Sequence, residues 1–317
     1  MARRIDVHHH FMSQAYIDAM GVERVASPGS AGHAEASTAE QSLAFMEIAG
    51  IETAILSVSA PGVDMGMPKR SARLARDCNE AQARYVHDHP GRFGSLAVLP
   101  LPDIDASLRE IEHAFDALHA DGAVVMSNYG GTYIGSPDFS PVFEELNRRK
   151  AVLLVHPSQP LGFRGFPGVS LSTLEFPFDT ARAMASVLYY GTPARHPDVK
   201  FIWSHAGGAM PTMAGRTAAL SQRNARFELR GPEKMTEVLR GFYYDTTQSL
   251  SRPTFAALST LAPFEHLLFG SDCPFASEGL VRASLGELEQ LALTPDRQAQ
   301  LDRINALALF PRFACGR

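Results

Sequence analysis

The chain has 317 residues, of which 45% are hydrophobic, 20% charged and 9% aromatic, the composition of a globular protein long enough to bury a substantial core. Its 29 basic and 34 acidic residues give a formal net charge of −5 with the cations dispersed, which argues against the basic face that a nucleic-acid partner needs. No apolar run reaches the ~18 residues of a membrane span. Met1 leads straight into a strand-like run, and Cys78, Cys273 and Cys315 form neither a disulfide framework nor a zinc ribbon, so a reducing cytoplasm is the expected compartment.

In chain order, β-rich runs fall at residues 3–8, 53–59, 93–99, 122–127, 152–156, 200–205, 242–246 and 267–271. Several are continuously apolar, as in Val152-Leu153-Leu154-Val155, which suits strands covered on both faces of a parallel sheet. Helical stretches are expected at 39–50, 69–87, 104–120, 141–150, 178–190 and 253–261, with one or two more between 278 and 309. In the first of these the pairs Leu43–Met46 and Phe45–Ile48 supply a buried face, while Gly50, Pro90 and Gly191 mark helix ends. Eight strand-like runs alternating with helices is the count of a (β/α)8 TIM barrel. A doubly wound sheet would carry a glycine-rich phosphate turn after an early strand, and none is present. No linker or composition shift divides the chain, so residues 1–317 are expected to form one barrel domain. Two connections, 11–37 and 157–175, are too long to be simple and follow strand C-termini, which makes them lid candidates. The second carries Phe163, Arg164 and Phe166, residues suited to a pocket wall.

The placement of the histidines is informative. Of twelve, five (His8, His9, His10, His156 and His205) lie at strand C-termini, and Asp272 closes the eighth strand. Side chains two apart on a strand share a face, so His8 and His10 can both point to the barrel axis while His9 points outward. Two imidazoles at that spacing, a third from strand five and a carboxylate from strand eight make a set of ligands for one divalent cation. His205 is followed by Ala206-Gly207-Gly208, where backbone can approach closely. Its ordinary pKa near working pH suits acid–base work.

These residues carry a resemblance. Asp6-x-His8-x-His10, Val155-His156-Pro157, Ser204-His205-Ala206-Gly207-Gly208 and Gly270-Ser271-Asp272-Cys273-Pro274-Phe275 resemble the amidohydrolase superfamily in the order in which it presents its metal-site motifs. Ser127-Asn128-Tyr129-Gly130-Gly131, Leu174-Glu175-Phe176-Pro177 and Asn305-Ala306-Leu307-Ala308-Leu309-Phe310-Pro311-Arg312 are most similar to its branch of aminocarboxymuconate semialdehyde and 6-methylsalicylate decarboxylases. The resemblance implies a distorted barrel, a metal held by His8, His10, His156 and Asp272, and His205 or Asp272 as the proton-transferring group. It implies nonoxidative decarboxylation of a small aromatic or unsaturated carboxylic acid such as a hydroxybenzoate. Hydrolysis of a lactone or amide by the same site is the alternative, because a metal-activated water serves either reaction. It also implies a homodimer.

Two-metal relatives bridge their ions with an anion, commonly a carboxylated lysine on strand four. Here that strand ends in Met126-Ser127-Asn128, and the four lysines, at 69, 150, 200 and 234, lie at no strand C-terminus. One ion is therefore expected, Zn(II) by its nitrogen-rich ligands, with Mn(II) also compatible. Tyr129, Phe163, Arg164 and Phe176 are the candidate substrate contacts. The arginine with which the aminocarboxymuconate enzyme meets a second substrate carboxylate has no counterpart in Ser37-Thr38-Ala39-Glu40-Gln41, leaving Arg164 or Arg252 as replacements. Cys273 lacks a basic neighbour in sequence and is expected to be a small buried residue.

Overall fold

The computed structural model describes residues 3–25, 36–163 and 168–314. Eight parallel strands form one sheet in sequence order: β1 (Arg4–His10), β2 (Ile51–Ser57), β3 (Phe93–Val98), β4 (Gly122–Met126), β5 (Val152–His156), β6 (Lys200–Trp203), β7 (Tyr243–Asp245) and β8 (Leu267–Leu268). Every residue of β3, β4 and β5 is buried, as their continuously apolar sequences require when helices cover one side and the barrel interior the other.

The last two strands are short, and the seam between β8 and β1 is closed by the chain that follows β8. Val7 N donates to Phe269 O (3.0 Å), Asp272 N to His8 O (2.8 Å) and His10 N to Cys273 O (2.7 Å). Asp6, fully buried, fastens the same seam. Its Oδ1 accepts from His8 N (3.1 Å) and Ser271 N (3.0 Å), and its Oδ2 from Ser271 Oγ (2.6 Å). The pairing of β1 with β2 shifts register between Asp6 and His9, a bulge that re-aims the side chains at the strand end. The barrel is thus a distorted one, with its irregularity where β1 carries three histidines.

Helices follow the strands. Pro68–Asp88 buries Leu74, Ala75, Cys78, Asn79 and Gln82 on one stripe, and Thr38 and Gln41 cap Ala39–Ala49 reciprocally. The expected helix at 178–190 starts earlier, at Leu171, and runs to Tyr189 with Pro177 inside it. It therefore occupies the end of the expected 157–175 lid. Two helices between β6 and β7, Met210–Ser221 and Pro232–Gly241, were absent from the sequence expectation. Each buries only two or three side chains, so its apolar periodicity is weak. The stretch expected as one helix over 104–120 is an α-helix, Ile104–Glu112, continued by a π-turn, His113–Ala117. At the far end of the barrel Asn305 Nδ2 donates to Phe264 O and Leu267 O, both at 2.8 Å, tying the C-terminal helices to β8. No helix among the described residues is long and apolar enough to cross a membrane.

Candidate active site

The C-terminal ends of β1, β5, β6 and β7, with the loop after β8, converge on one buried cluster. His8, His10, His156 and Asp272 each offer one donor atom, and the four atoms lie within 4.8 Å of one another. His8 Nε2 and His10 Nε2 are 3.0 Å apart, and Asp272 Oδ1 lies 3.0 Å from His10 Nε2 and 3.5 Å from His8 Nε2. His9, between them, faces the other way, its Nδ1 3.1 Å from Asp6 Oδ2 and its Nε2 3.2 Å from Ser42 Oγ on the helix outside the barrel.

The outer nitrogens decide the tautomers. His8 Nδ1 lies 2.8 Å from Asp245 Oδ2, His156 Nδ1 2.8 Å from Pro157 O and His10 Nδ1 3.3 Å from Ser57 O. A carbonyl oxygen has no proton to give, so His10 and His156 carry theirs on Nδ1 and turn bare Nε2 lone pairs inward. Burial, together with the neighbouring histidine charges, holds His156 well below its ordinary pKa and keeps it neutral. Burial alone would raise the Asp245 carboxyl, but the adjacent His8 outweighs it and holds the carboxyl below the usual range. Asp245 therefore accepts from His8 as a carboxylate.

His8 itself resists burial because Asp245 and Asp272 face it, and its pKa rises to about 10. A divalent cation held by these donors would displace the proton that His8 otherwise tends to carry and leave its Nε2 free to ligate as well. Three imidazole lone pairs and one carboxylate oxygen, each oriented by a partner behind it, fit such an ion.

His205 stands beside the cluster, its ring centroid 4.9 Å from that of His8 and 5.9 Å from that of His156. Its Nδ1 is buried without a hydrogen-bond partner, and burial followed by the charge on His8 lowers its pKa to about 4. The turn that carries it is left-handed through four residues, His205 to Gly208. A Cβ on Gly208 would lie 2.1 Å from Pro177 O, so only glycine fits there. Gly270 is constrained likewise: a Cβ there would lie 2.1 Å from Thr247 Oγ1 and 2.9 Å from His8 Cβ.

Above the cluster opens a cavity of about 940 Å³, lined by His156, His205 and Asp272 below and by Phe176 and Phe275 at the sides. The Phe176 ring centroid is 5.9 Å from that of His156, and Phe275 is 5.3 Å from His10. Of the expected substrate contacts, Phe176 thus reaches the cavity. Tyr129 instead lines an adjoining recess of about 230 Å³. It is buried with its hydroxyl accepting from Met126 N at 3.0 Å. Phe163 sits on the turn after β5, its N–H donating to Pro160 O at 3.2 Å. Arg164 and Phe166 lie outside the described residues, as do residues 26–35 of the first lid candidate and Cys315. Arg252 is exposed and donates to Gln290 O at 3.1 Å, so it does not serve as the replacement arginine. Arg24, which the sequence reading passed over, lines both cavity and recess. Cys273 is buried.

Asp245 was also missed. One carboxylate holds the His8 ring, accepts from His205 N (2.9 Å) and accepts from Thr247 N (3.0 Å). Its signal in the sequence was its position, an acidic residue one place before the end of the predicted strand 242–246, near where barrel sites are built.

A parallel eight-stranded barrel that turns three imidazoles and a carboxylate toward one cavity defines a class, the barrel enzymes with a metal site at the strand C-termini. Within that class the chain belongs to the amidohydrolase family, whose model matches residues 5–312. It is 36% identical to "Decarboxylase yanB" of Aspergillus niger over 98% of this chain and 88% of that protein. It is 35% identical to a 6-methylsalicylic acid decarboxylase of Penicillium expansum over 98% and 96%. Among solved structures, an amidohydrolase II superposes with a TM-score of 0.88 at 28% identity, covering 97% of this chain and 99% of the other.

Proposed function

We propose that this chain is a nonoxidative carboxy-lyase that removes CO2 from a small hydroxylated aromatic acid, with one divalent ion held by His8, His10, His156 and Asp272. The observation that carries the metal part is the convergence of Nε2 atoms whose Nδ1 partners fix the inward lone pairs. The choice of decarboxylation is supported by relatives named decarboxylases that align along nearly the whole chain at 35–36% identity. An ion held by these residues would supply Lewis acidity toward an oxygen of the substrate.

The protein's own groups do the rest. Phe176 and Phe275 flank the space above the imidazoles and offer faces for an aromatic ring. When the carbon–carbon bond breaks, its electron pair stays on the ring carbon, which must gain a proton. His205 is the group placed to relay that proton from solvent to the carbon: it lines the cavity, its Nδ1 has no protein partner, and, being neutral at working pH, it takes up one proton from water and gives it to the ring carbon in each turnover. Asp272 is held well below the usual carboxylate range by the imidazoles of His10 and His8 despite burial, which suits a carboxylate that ligates a cation.

Zn(II) is the proposed ion on the strength of three nitrogen donors, with Mn(II) accommodated by the carboxylate. A homodimer in a reducing compartment completes the proposal; Cys78 and Cys273, both free and buried, suit the latter. CO2 release from 2-hydroxybenzoates, assayed beside hydrolysis of a lactone panel, tests the reaction class. Turnover of a lactone with no acid decarboxylated would reverse it.

A further inference from the structure

Asp272 has two carboxylate oxygens and only one of them faces the histidines. Oδ1 is the atom 3.0 Å from His10 Nε2, whereas Oδ2 accepts a hydrogen bond from Gln248 Nε2 at 3.0 Å. Gln248 lies three residues after Asp245, on the loop that follows β7, and it lines the cavity.

Both ends of this contact are held in backbone that side chains rarely adopt. Asp272 has φ +65° and Gln248 φ +50°, a conformation that costs energy for residues other than glycine and persists only where the surroundings impose it. The surroundings here are specific. Asp272 N donates to His8 O (2.8 Å) and Ala276 N to Asp272 O (2.8 Å). The Gln248 loop is pinned by Thr247 N on Asp245 Oδ1 (3.0 Å), Ser249 N on Thr246 O (3.1 Å) and Ser249 Oγ on Thr247 O (2.9 Å). The carboxylate that fixes the His8 ring therefore also fixes the loop that presents the glutamine.

A carboxylate can give an ion one oxygen or two. Given both oxygens of Asp272, an ion bound by three imidazoles would have five protein donors; given one, it has four, which leaves one more place that a substrate oxygen can take as the ion expands its coordination. A neutral amide N–H is suited to holding the second oxygen aside, because it donates without cancelling the charge that attracts the cation. An apolar residue at 248 would leave Oδ2 free to rotate inward.

We propose that Gln248 is a positioning residue that keeps Asp272 a one-oxygen ligand and so keeps a coordination place open for substrate. This rests on the metal assignment made above. The test uses protein loaded with Co(II), whose visible absorption reports coordination number, titrated with salicylate and compared with Gln248→Leu and with Gln248→Glu, which keeps the side-chain shape but repels Oδ2. Gln248→Asn retains an amide donor and tolerates the left-handed backbone.

In both Leu and Glu variants the Co(II) spectrum should move toward higher coordination and salicylate affinity should fall on the order of 10–100-fold, the range for partners of metal ligands. The Asn variant should recover part of each. Should Gln248→Leu fail to fold, the Glu variant alone carries the same two readouts. A wild-type spectrum and wild-type salicylate affinity in whichever of the two folds overturns the proposal while leaving the metal site intact. Unchanged Co(II) binding in Asp272→Asn would instead remove the metal assignment beneath it.

Discussion

The site is built from residues whose partners assign their roles. His10 has a bare nitrogen turned to the cluster, so His10→Ala is expected to lower metal affinity by at least about 100-fold, read by competition with a chromophoric chelator. His205→Ala should retain the ion yet lose on the order of 100- to 10,000-fold in kcat, the range for removing a proton-transfer group; a variant with unchanged rate removes His205 from the mechanism. Burial and the positive charge of His8 lower the His205 pKa to about 4, and a bound cation disfavours its protonation further. Activity that needs neutral His205 should therefore persist as pH falls through the ordinary imidazole range, with an acid limb at or below about 4. An acid limb near the unperturbed histidine value of ~6.5 that vanishes in the His205→Gln variant would contradict this assignment. The four candidate ligands were legible in the sequence because a period of two along β1 and the ends of β5 and β8 fix where they point. Asp245 was not, since its partnership with His8, 237 positions away, exists only once β7 is laid near β1. Asp245→Asn should weaken metal binding roughly 10- to 100-fold, and an unchanged affinity would show that His8 needs no such orientation.

Individual elements show where sequence patterns carry information and where they lose it. The strands were legible because burial on both faces leaves continuous apolar runs, and only their ends moved: β1 continues to His10, and β8 shortens to Leu267–Leu268. Helices Met210–Ser221 and Pro232–Gly241 escaped notice because most of their residues face outward, Met235 and Leu239 being the only buried pair in the second. By local rules Pro177 is a helix breaker, so sequence alone does not carry a helix from Leu171 through it to Tyr189. In the fold the Pro177 carbonyl instead receives Ala209 N at 3.0 Å from the turn carrying His205. That contact leaves no room for a side chain at Gly208. Gly208→Ala should cost on the order of 2 kcal/mol or more, seen as a lower midpoint in thermal or urea unfolding of the metal-free protein. It should also depress activity by displacing His205. A fully stable, fully active variant would mean that the turn relaxes easily.

Across the whole molecule, the barrel's weakest seam and its chemical site coincide. The short β7 and β8 give few ladder bonds, and closure falls to Asp6, to backbone bonds around His8 and His10, and to the residues flanking Asp272. An ion joining β1, β5 and the loop after β8 would therefore staple the seam as well as serve the reaction. Removing it with a chelator should lower the melting temperature and returning it should restore it. Ligand at a hundredfold excess over its Kd is worth about 2.7 kcal/mol to the folded state. Equal melting curves with and without chelator would separate the site from the stability of the barrel.

The most direct measurement is elemental analysis of the purified protein joined to a CO2-release assay on 2-hydroxybenzoates. One equivalent of Zn or Mn, with release that disappears on chelation and in the His10→Ala variant, is the predicted result. Release that continues undiminished in metal-free protein would contradict the account.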